Sequence, residues 1–238
     1  MHAVIIGATG GLGTALTRHL AAHPMIKMVH ALSRSGETAA VASVRPGRID
    51  LLDETSITAA ATDIATYGAP DLILVASGIL SDGEGLRPEK SLRQQSPEAF
   101  ERVFAINTIG PALVAKHLLP IQPRTGRSVF AALSARVGSI SDNRLGGWHA
   151  YRASKAALNM LIRNYALEQA RRNAESVVVG LHPGTVDTGL SKPFHAGLPA
   201  GQLFTPDTAA THLLAVIDGL APCDSGKVFD WAGTEIPA

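Results

Sequence analysis

The sequence predicts an α/β protein, a doubly wound parallel sheet of about seven strands in three layers (α/β/α) with helices on both faces. Three observations carry this. Short apolar runs alternate with segments of helical periodicity along the whole chain, the pattern of strands joined by right-handed helical crossovers. The run at 176–181 is a nearly unbroken valine stretch, as expected of a strand covered on both faces. A glycine-rich turn, Gly7-Ala8-Thr9-Gly10-Gly11-Leu12-Gly13, separates the first apolar run from the first helical segment.

Taken in order, residues 2–6 form the first strand and 12–22 the first helix, closed by Pro24. Residues 28–32 form a second buried strand and 47–51 a short third. An alanine-rich helix follows over 55–65, with Thr55 as its N-cap. The fourth strand covers 71–76. After a polar stretch, Ser96-Pro97-Glu98 puts a cap, an N1 proline and an acid in sequence, opening a helix to about Leu119 that Pro120 stops. Residues 128–133 form strand five, 150–170 a long helix and 176–181 strand six. Thr205-Pro206-Asp207 repeats the cap pattern for a last helix to about Ile217, and 227–229 is a candidate seventh strand.

With 238 residues, 46% of them apolar, the chain can bury the core of one domain over 1–238. Lys+Arg 21 against Asp+Glu 20 leaves a formal charge of +1, and there is no basic run. Nucleic acid and anionic membrane are therefore not expected partners. The longest apolar run, 72–80, already contains Ser77 and Gly78, so no membrane span is expected. A single cysteine, Cys223, excludes an internal disulfide and points to a reducing compartment, the cytoplasm.

Glycines at a strand-to-helix turn let backbone amides approach a pyrophosphate at the helix N-terminus, so the turn predicts dinucleotide binding through Gly7, Thr9, Gly11, Leu12 and Gly13. Gly7, Gly11, Gly13 and Gly7, Gly10, Gly13 are both readable subsets. At the end of the second strand an acid would read the 2′-hydroxyl of NAD. The sequence there is Leu32-Ser33-Arg34-Ser35, offering hydroxyls and a guanidinium to a 2′-phosphate, so Ser33 and Arg34 favour NADP(H) over NAD(H). The alternative is an arginine in a solvated loop.

Tyr151 and Lys155 stand i, i+4 on the long helix and so share one face. An ammonium beside a phenol lowers its pKa toward the range where it can exchange protons. With the glycine turn upstream, Ser134 at the end of strand five, Asn107 in the preceding helix and Pro183-Gly184-Thr185-Val186-Asp187-Thr188 after strand six, the chain resembles the short-chain dehydrogenase/reductase (SDR) family over nearly its whole length. The stretch Leu133-Ser134-Ala135-Arg136-Val137-Gly138-Ser139 and the Tyr151-Arg152-Ala153-Ser154-Lys155 motif look most like its C-factor-like, sniffer-type carbonyl reductase subgroup.

That resemblance implies a Rossmann-type fold and an oxidoreductase moving hydride between a nicotinamide and a small or hydrophobic aldehyde, ketone or alcohol. Tyr151 would be general acid in reduction and base in oxidation, and Lys155 would lower its pKa and hold the nicotinamide ribose. Ser134 would bond the carbonyl oxygen, and Asn107 would anchor a water leading from Lys155. Asp50 and Leu51 would border the adenine, Ala76, Ser77 and Gly78 would follow strand four along the cofactor, and Pro183, Gly184, Val186 and Thr188 would wrap the carboxamide. A homodimer or homotetramer through the helices at 97–119 and 150–170 is also implied.

Three departures from the family pattern stand out, the slightest being Ile6 where a threonine often precedes the first glycine. Val75-Ala76-Ser77-Gly78 replaces Asn-Asn-Ala-Gly. The usual catalytic serine position falls on Ala135, leaving Ser134 the nearest hydroxyl and Ser139 a second choice. These departures keep open a non-catalytic NADP(H)-binding signalling or redox-sensing protein. A sugar epimerase of the extended type also fits Gly7, Gly10 and Gly13, but needs a longer chain.

Other features read as ordinary structure. His19 and His23 are i, i+4 with no carboxylate nearby in sequence and suit the end of a helix better than a metal. Trp148, His149 and His182 flank the motifs, with packing the expected role of Trp148. Residues 84–95 are expected to be a solvated loop and Cys223 inert. The irregular segment at about 188–205, with Leu190, Phe194, Leu198 and Phe204, is the expected substrate lid.

Overall fold

The computed structural model describes residues 1–38, 41, 43–83, 85–192, 195 and 201–238. Glu84, Phe194 and Leu198 lie outside the described residues. In chain order the main elements are β1 (His2–Ile6), α1 (Gly11–Ala22), β2 (Met28–Ser33), β3 (Val44–Arg48), α2 (Glu54–Ala65), β4 (Leu72–Val75), α3 (Pro97–Phe104), α4 (Gly110–Leu118), β5 (Ser128–Leu133), α5 (His149–Arg172), β6 (Ser176–His182), β7 (Thr185–Val186), β8 (Leu203–Phe204), α6 (Pro206–Gly219), β9 (Val228–Asp230) and β10 (Glu235–Ile236).

One eight-stranded sheet has the order β10-β9-β6-β5-β4-β1-β2-β3. It is parallel except where β10 folds back antiparallel on β9. The order reverses at β1, with β2 on one side and β4 on the other, and that switch point opens the crevice in which doubly wound folds bind ligands. Side chains alternate along the strands into two cores. Ala3 and Ile5 pack with Leu16 of α1 and Leu213 of α6; Val4 and Ile6 pack with Ile57 of α2, Val114 of α4 and Ile162 of α5. The three-layer expectation is met.

Several boundaries differ for identifiable reasons. β3 runs over Val44–Arg48 rather than 47–51, because Asp50 turns the chain by accepting the Leu52 amide at 3.0 Å. Pro46 is tolerated within it because β3 is the sheet edge. Asp53, not Thr55, caps α2, accepting the Thr55 amide. Ser96 and Thr205 cap α3 and α6 as expected. The predicted helix at 97–119 is α3 and α4 joined by a π turn, Ala105–Ile109.

By length and apolarity the stretch Pro97–Ile121, mean hydropathy 1.2, is the one candidate for a membrane crossing among the described residues, contrary to the sequence expectation of none. Its Val103, Val114, Ala115 and Leu118 are buried inside the fold, and we read it as a core helix.

Candidate active site

The glycine turn is shaped by what its neighbours leave no room for. Gly7 adopts φ +90, and a Cβ there would stand 2.6 Å from Ser77 Oγ. On Gly13 a Cβ would sit 2.1 Å from the Gly7 carbonyl oxygen, and on Gly11 2.9 Å from Thr188 Cγ2. Gly10, by contrast, has only ordinary contact, so the structure selects the Gly7, Gly11, Gly13 subset. The amides of Gly7 and Ala8 bond the Leu32 carbonyl at 2.9 and 3.0 Å, tying the turn to the end of β2. The N-terminus of α1 has no side-chain cap, and Thr9 is exposed at the turn. A cradle of this kind, with unspent helix-terminal amides, fits a dinucleotide pyrophosphate.

At the end of β2, Ser33 is buried and accepts the Gly36 amide, while Arg34 is exposed. Asp50 and Leu51 follow β3, with Leu51 packed where a Cβ on Gly110 would meet it at 2.8 Å. A cleft of about 620 Å³ runs over the C-terminal ends of β1, β4, β5 and β6. Gly11, Leu12, Gly13, Ala76, Ser77 and Gly78 line one end. Ser134, Tyr151, Lys155, Pro183, Gly184, Val186 and Thr188 line the remainder. Gly7, Thr9, Ser33, Arg34, Asp50, Leu51 and Asn107 lie outside its lining.

Tyr151 is 9% exposed and Lys155 3%, with Lys155 Nζ 5.8 Å from the phenol ring centroid. The ammonium donates to the Leu133 carbonyl at 2.8 Å. Burial disfavours both charged forms: it pushes the Tyr151 phenol up to about 12 and the Lys155 ammonium down to about 8. The lowered tyrosine pKa expected from the i, i+4 spacing is thus outweighed by desolvation. Asn107, fully buried in the π turn, accepts the Ile79 amide and donates to the Ile79 carbonyl, both at 2.8 Å. It also donates to Ser154 Oγ at 3.3 Å. These bonds lock the turn after β4 to α5, with Gly78 between: a Cβ there would lie 3.4 Å from Asn107 Oδ1 and 3.7 Å from Lys155 Nζ.

Ser134 is at the cleft wall, but its hydroxyl donates to Asn159 Oδ1 at 2.6 Å. Ser139 Oγ instead accepts the Asp142 amide and is outside the lining. Ala135 lies in the buried cluster beside Tyr151, Leu80 and Ala150. Trp148 also lines the cleft, edge-on to Tyr151 with ring centroids 6.2 Å apart. His182 lines it too, held to about 4 by burial and then by the Arg136 charge. Arg136 bonds both Asp142 and Asp230.

Of the predicted lid, Leu190 and Ser191 face the cleft, whereas Phe204 packs on Trp231, centroids 4.7 Å apart. β7 pairs with β8 at the base of this segment. His19 does have a carboxylate partner, Asp207 of α6 at 3.1 Å, which the separation in sequence hid. Glu89 was expected to be solvated; it is 3% exposed, and both its carboxylate oxygens accept the Ala150 amide at 3.3 Å.

Comparison with known proteins identifies the family and the fold. Residues 1–198 match the family model described as short chain dehydrogenase. A curated relative from Rhodococcus sp. (strain AD45), 1-hydroxy-2-glutathionyl-2-methyl-3-butene dehydrogenase, is 30% identical over 97% of this chain and 96% of its own. The C-signal protein of Myxococcus xanthus is 43% identical over 57% of this chain and 76% of its own. Among solved structures, NADPH-bound carbonyl reductase from chicken fatty liver superposes with a TM-score of 0.85 at 24% identity, over 100% of this chain and 94% of that one. Carbonyl reductase Sniffer of D. melanogaster gives 0.86 at 22%, over 100% and 99%; at these identities the likeness speaks for the fold. The chain belongs to the short-chain dehydrogenase family and is an oxidoreductase of that family.

Proposed function

We propose that the chain is an NADPH-dependent reductase of small or hydrophobic aldehydes and ketones, reversible to alcohol oxidation. The observation that carries this reading is that Tyr151 and Lys155 open from one face of α5 onto the same cleft as the glycine turn. NADP(H), when bound, supplies or takes the hydride. Gly7, Gly11 and Gly13 would let the backbone approach the pyrophosphate, and Arg34 with Ser33 would meet the 2′-phosphate. Tyr151, kept protonated by burial, would give its phenolic proton to the carbonyl oxygen of the substrate. Lys155 would bond the nicotinamide ribose of the bound cofactor and would face the phenolate left behind. Ser134 reaches the carbonyl oxygen once its hydroxyl turns from Asn159, and Asn107 keeps the turn after β4 in register with Lys155. The apolar wall of Leu80, Ala135, Val137, Trp148 and Leu190 suits an apolar substrate body.

Ala135 beside Tyr151 and the relative named C-signal favour a second reading, a non-catalytic NADP(H)-binding signalling or sensing protein. Titration with NADPH and NADH, then NADPH oxidation against a panel of aromatic and aliphatic carbonyls, separates the two. NADPH binding with turnover that Tyr151→Phe lowers by about 10²–10⁴-fold, binding intact, supports the reductase. Tight binding without turnover supports the sensor. Exposed Ile109, Met160 and Leu167 support a homodimer or homotetramer through the α4 and α5 region, measurable by light scattering.

A further inference from the structure

We propose that Glu89 is a positioning residue for Tyr151: a carboxylate brought in from a distant loop supplies the acceptor that an N-cap side chain would give the catalytic helix and holds its first turn in the cleft. The proposal rests on the reductase reading for its kinetic consequence, though not for its structural one.

A helix begins with amides that have no partner inside it, and a Ser, Thr, Asp or Asn at the N-cap normally accepts one of them. Trp148 occupies the N-cap of α5 and provides no side-chain cap bond. It also adopts φ 51, the one non-glycine residue with positive φ among those described, a conformation that a bulky side chain holds only when its surroundings enforce it. Glu89 supplies both needs. Its main-chain carbonyl accepts the Trp148 amide at 2.5 Å, and its two carboxylate oxygens accept the amide of Ala150, each at 3.3 Å. Ala150 is the second residue of the helix, where an N-cap side chain would have bonded, and Tyr151 is the third. One residue thus fixes the left-handed entry, the Trp148 ring that stands edge-on to Tyr151, and the turn that carries the phenol.

An acceptor charge at a partly buried helix N-terminus is favourable, and leaving the Ala150 amide without it would unsatisfy a buried donor. The first turn would then open, and Tyr151 would gain water and lose its aim. The ionisable groups around Tyr151 are Lys155 on the same helix, Arg136 after β5 and His182 at the end of β6, all lining the cleft, with Glu89 at the helix N-terminus.

The test compares Glu89→Ala and Glu89→Gln with the unaltered chain. Glu89→Gln keeps an acceptor of the same shape. Two readouts are used: kcat, KM and NADPH Kd for a carbonyl that the unaltered chain reduces, and the ultraviolet tyrosinate titration, with Tyr151 identified by difference from Tyr151→Phe. The expected result is a kcat about 10–100-fold lower in Glu89→Ala, with NADPH Kd within about twofold and Glu89→Gln within about threefold of the unaltered chain. Tyr151 should ionise toward 10 in Glu89→Ala while Glu89→Gln keeps the high value. Unchanged kcat and unchanged tyrosine ionisation in Glu89→Ala would overturn the proposal, as would a Glu89→Gln variant no better than Glu89→Ala. If the unaltered chain reduces no carbonyl but the tyrosine titration behaves as expected, the reductase reading fails and the role of Glu89 stands. Should Glu89→Ala not fold, Glu89→Gln with an ordinary tyrosine titration would still overturn it.

Discussion

Acid should destabilise this protein, with His30 one of the histidines that burial holds neutral, beside His2 and His182, and the size of its share follows from where the imidazole lies. His30 is 1% exposed, its ring tilted against that of His2 with centroids 4.7 Å apart and edge-on to Tyr67 at 5.3 Å, and among the described residues neither of its ring nitrogens has a hydrogen-bond partner. Burial, then the neighbouring His2, hold it down from 6.5 to about 4. The unfolded chain takes a proton on this residue near 6.5 and the folded chain does not, so between those limits the unfolded state binds more protons. Stability is therefore full above pH 6.5 and falls as the pH drops toward 4, by about 1.4 kcal/mol per pH unit for one such group. At pH 5 the loss from His30 alone is about 2 kcal/mol, and over the whole window about 3. Urea unfolding followed by circular dichroism between pH 7.5 and 4.5 measures it. His30→Leu, which replaces two orphaned nitrogens with apolar volume, should be at least as stable at pH 7.5 and should lose less on acidification. If His30→Leu keeps the full slope, or nuclear magnetic resonance finds His30 titrating near 6.5, the reasoning fails.

If NADPH is preferred as proposed, Arg34→Asp should turn the preference toward NADH, read as the ratio of the two dissociation constants; an unchanged ratio would mean the ribose is read elsewhere. Gly13→Ala must displace the Gly7 carbonyl, which its Cβ would meet at 2.1 Å, so NADPH binding should weaken at least tenfold by fluorescence titration. Lys155 is charged only below about 8, so NADPH affinity should fall as pH rises through that value, and Lys155→Met should abolish the dependence. Asn107→Ala strands the Ile79 amide and carbonyl and should lower stability by about 1–3 kcal/mol in chemical denaturation.

What the sequence made legible was local. The glycine turn, the caps at Ser96 and Thr205 and the Tyr151/Lys155 spacing are each set by residues within a few positions of one another, and the backbone geometry they require has few alternatives. What it hid was decided by distant partners. Glu89 looked solvated because Ala150, whose amide it caps, is 61 residues away. The hydroxyl of Ser134 is oriented by Asn159, 25 residues on. His19 meets Asp207 across 188 residues. The third strand was displaced because buried Ile49 and Leu51 read as strand interior, although they follow the last paired residue, Arg48. The pKa of Tyr151 went the other way because spacing reports a neighbour and burial reports everything else.

The π turn at 105–109 also sets a phase. Each residue in an α-helix advances the side-chain direction by about 100°, and a wider turn delays that advance. Before it, Val103 faces Leu80 and Tyr151; after it, Val114, Ala115 and Leu118 face the sheet. Point substitutions between Phe104 and Gly110 change chemistry but keep this count, whereas losing a single residue there would swing everything downstream by about 100°. Valines and leucines of α4 would turn away from the sheet, so the segment is sensitive to its length as well as to the side chains of Asn107 and Thr108 that bond across to Ile79 and Ser154.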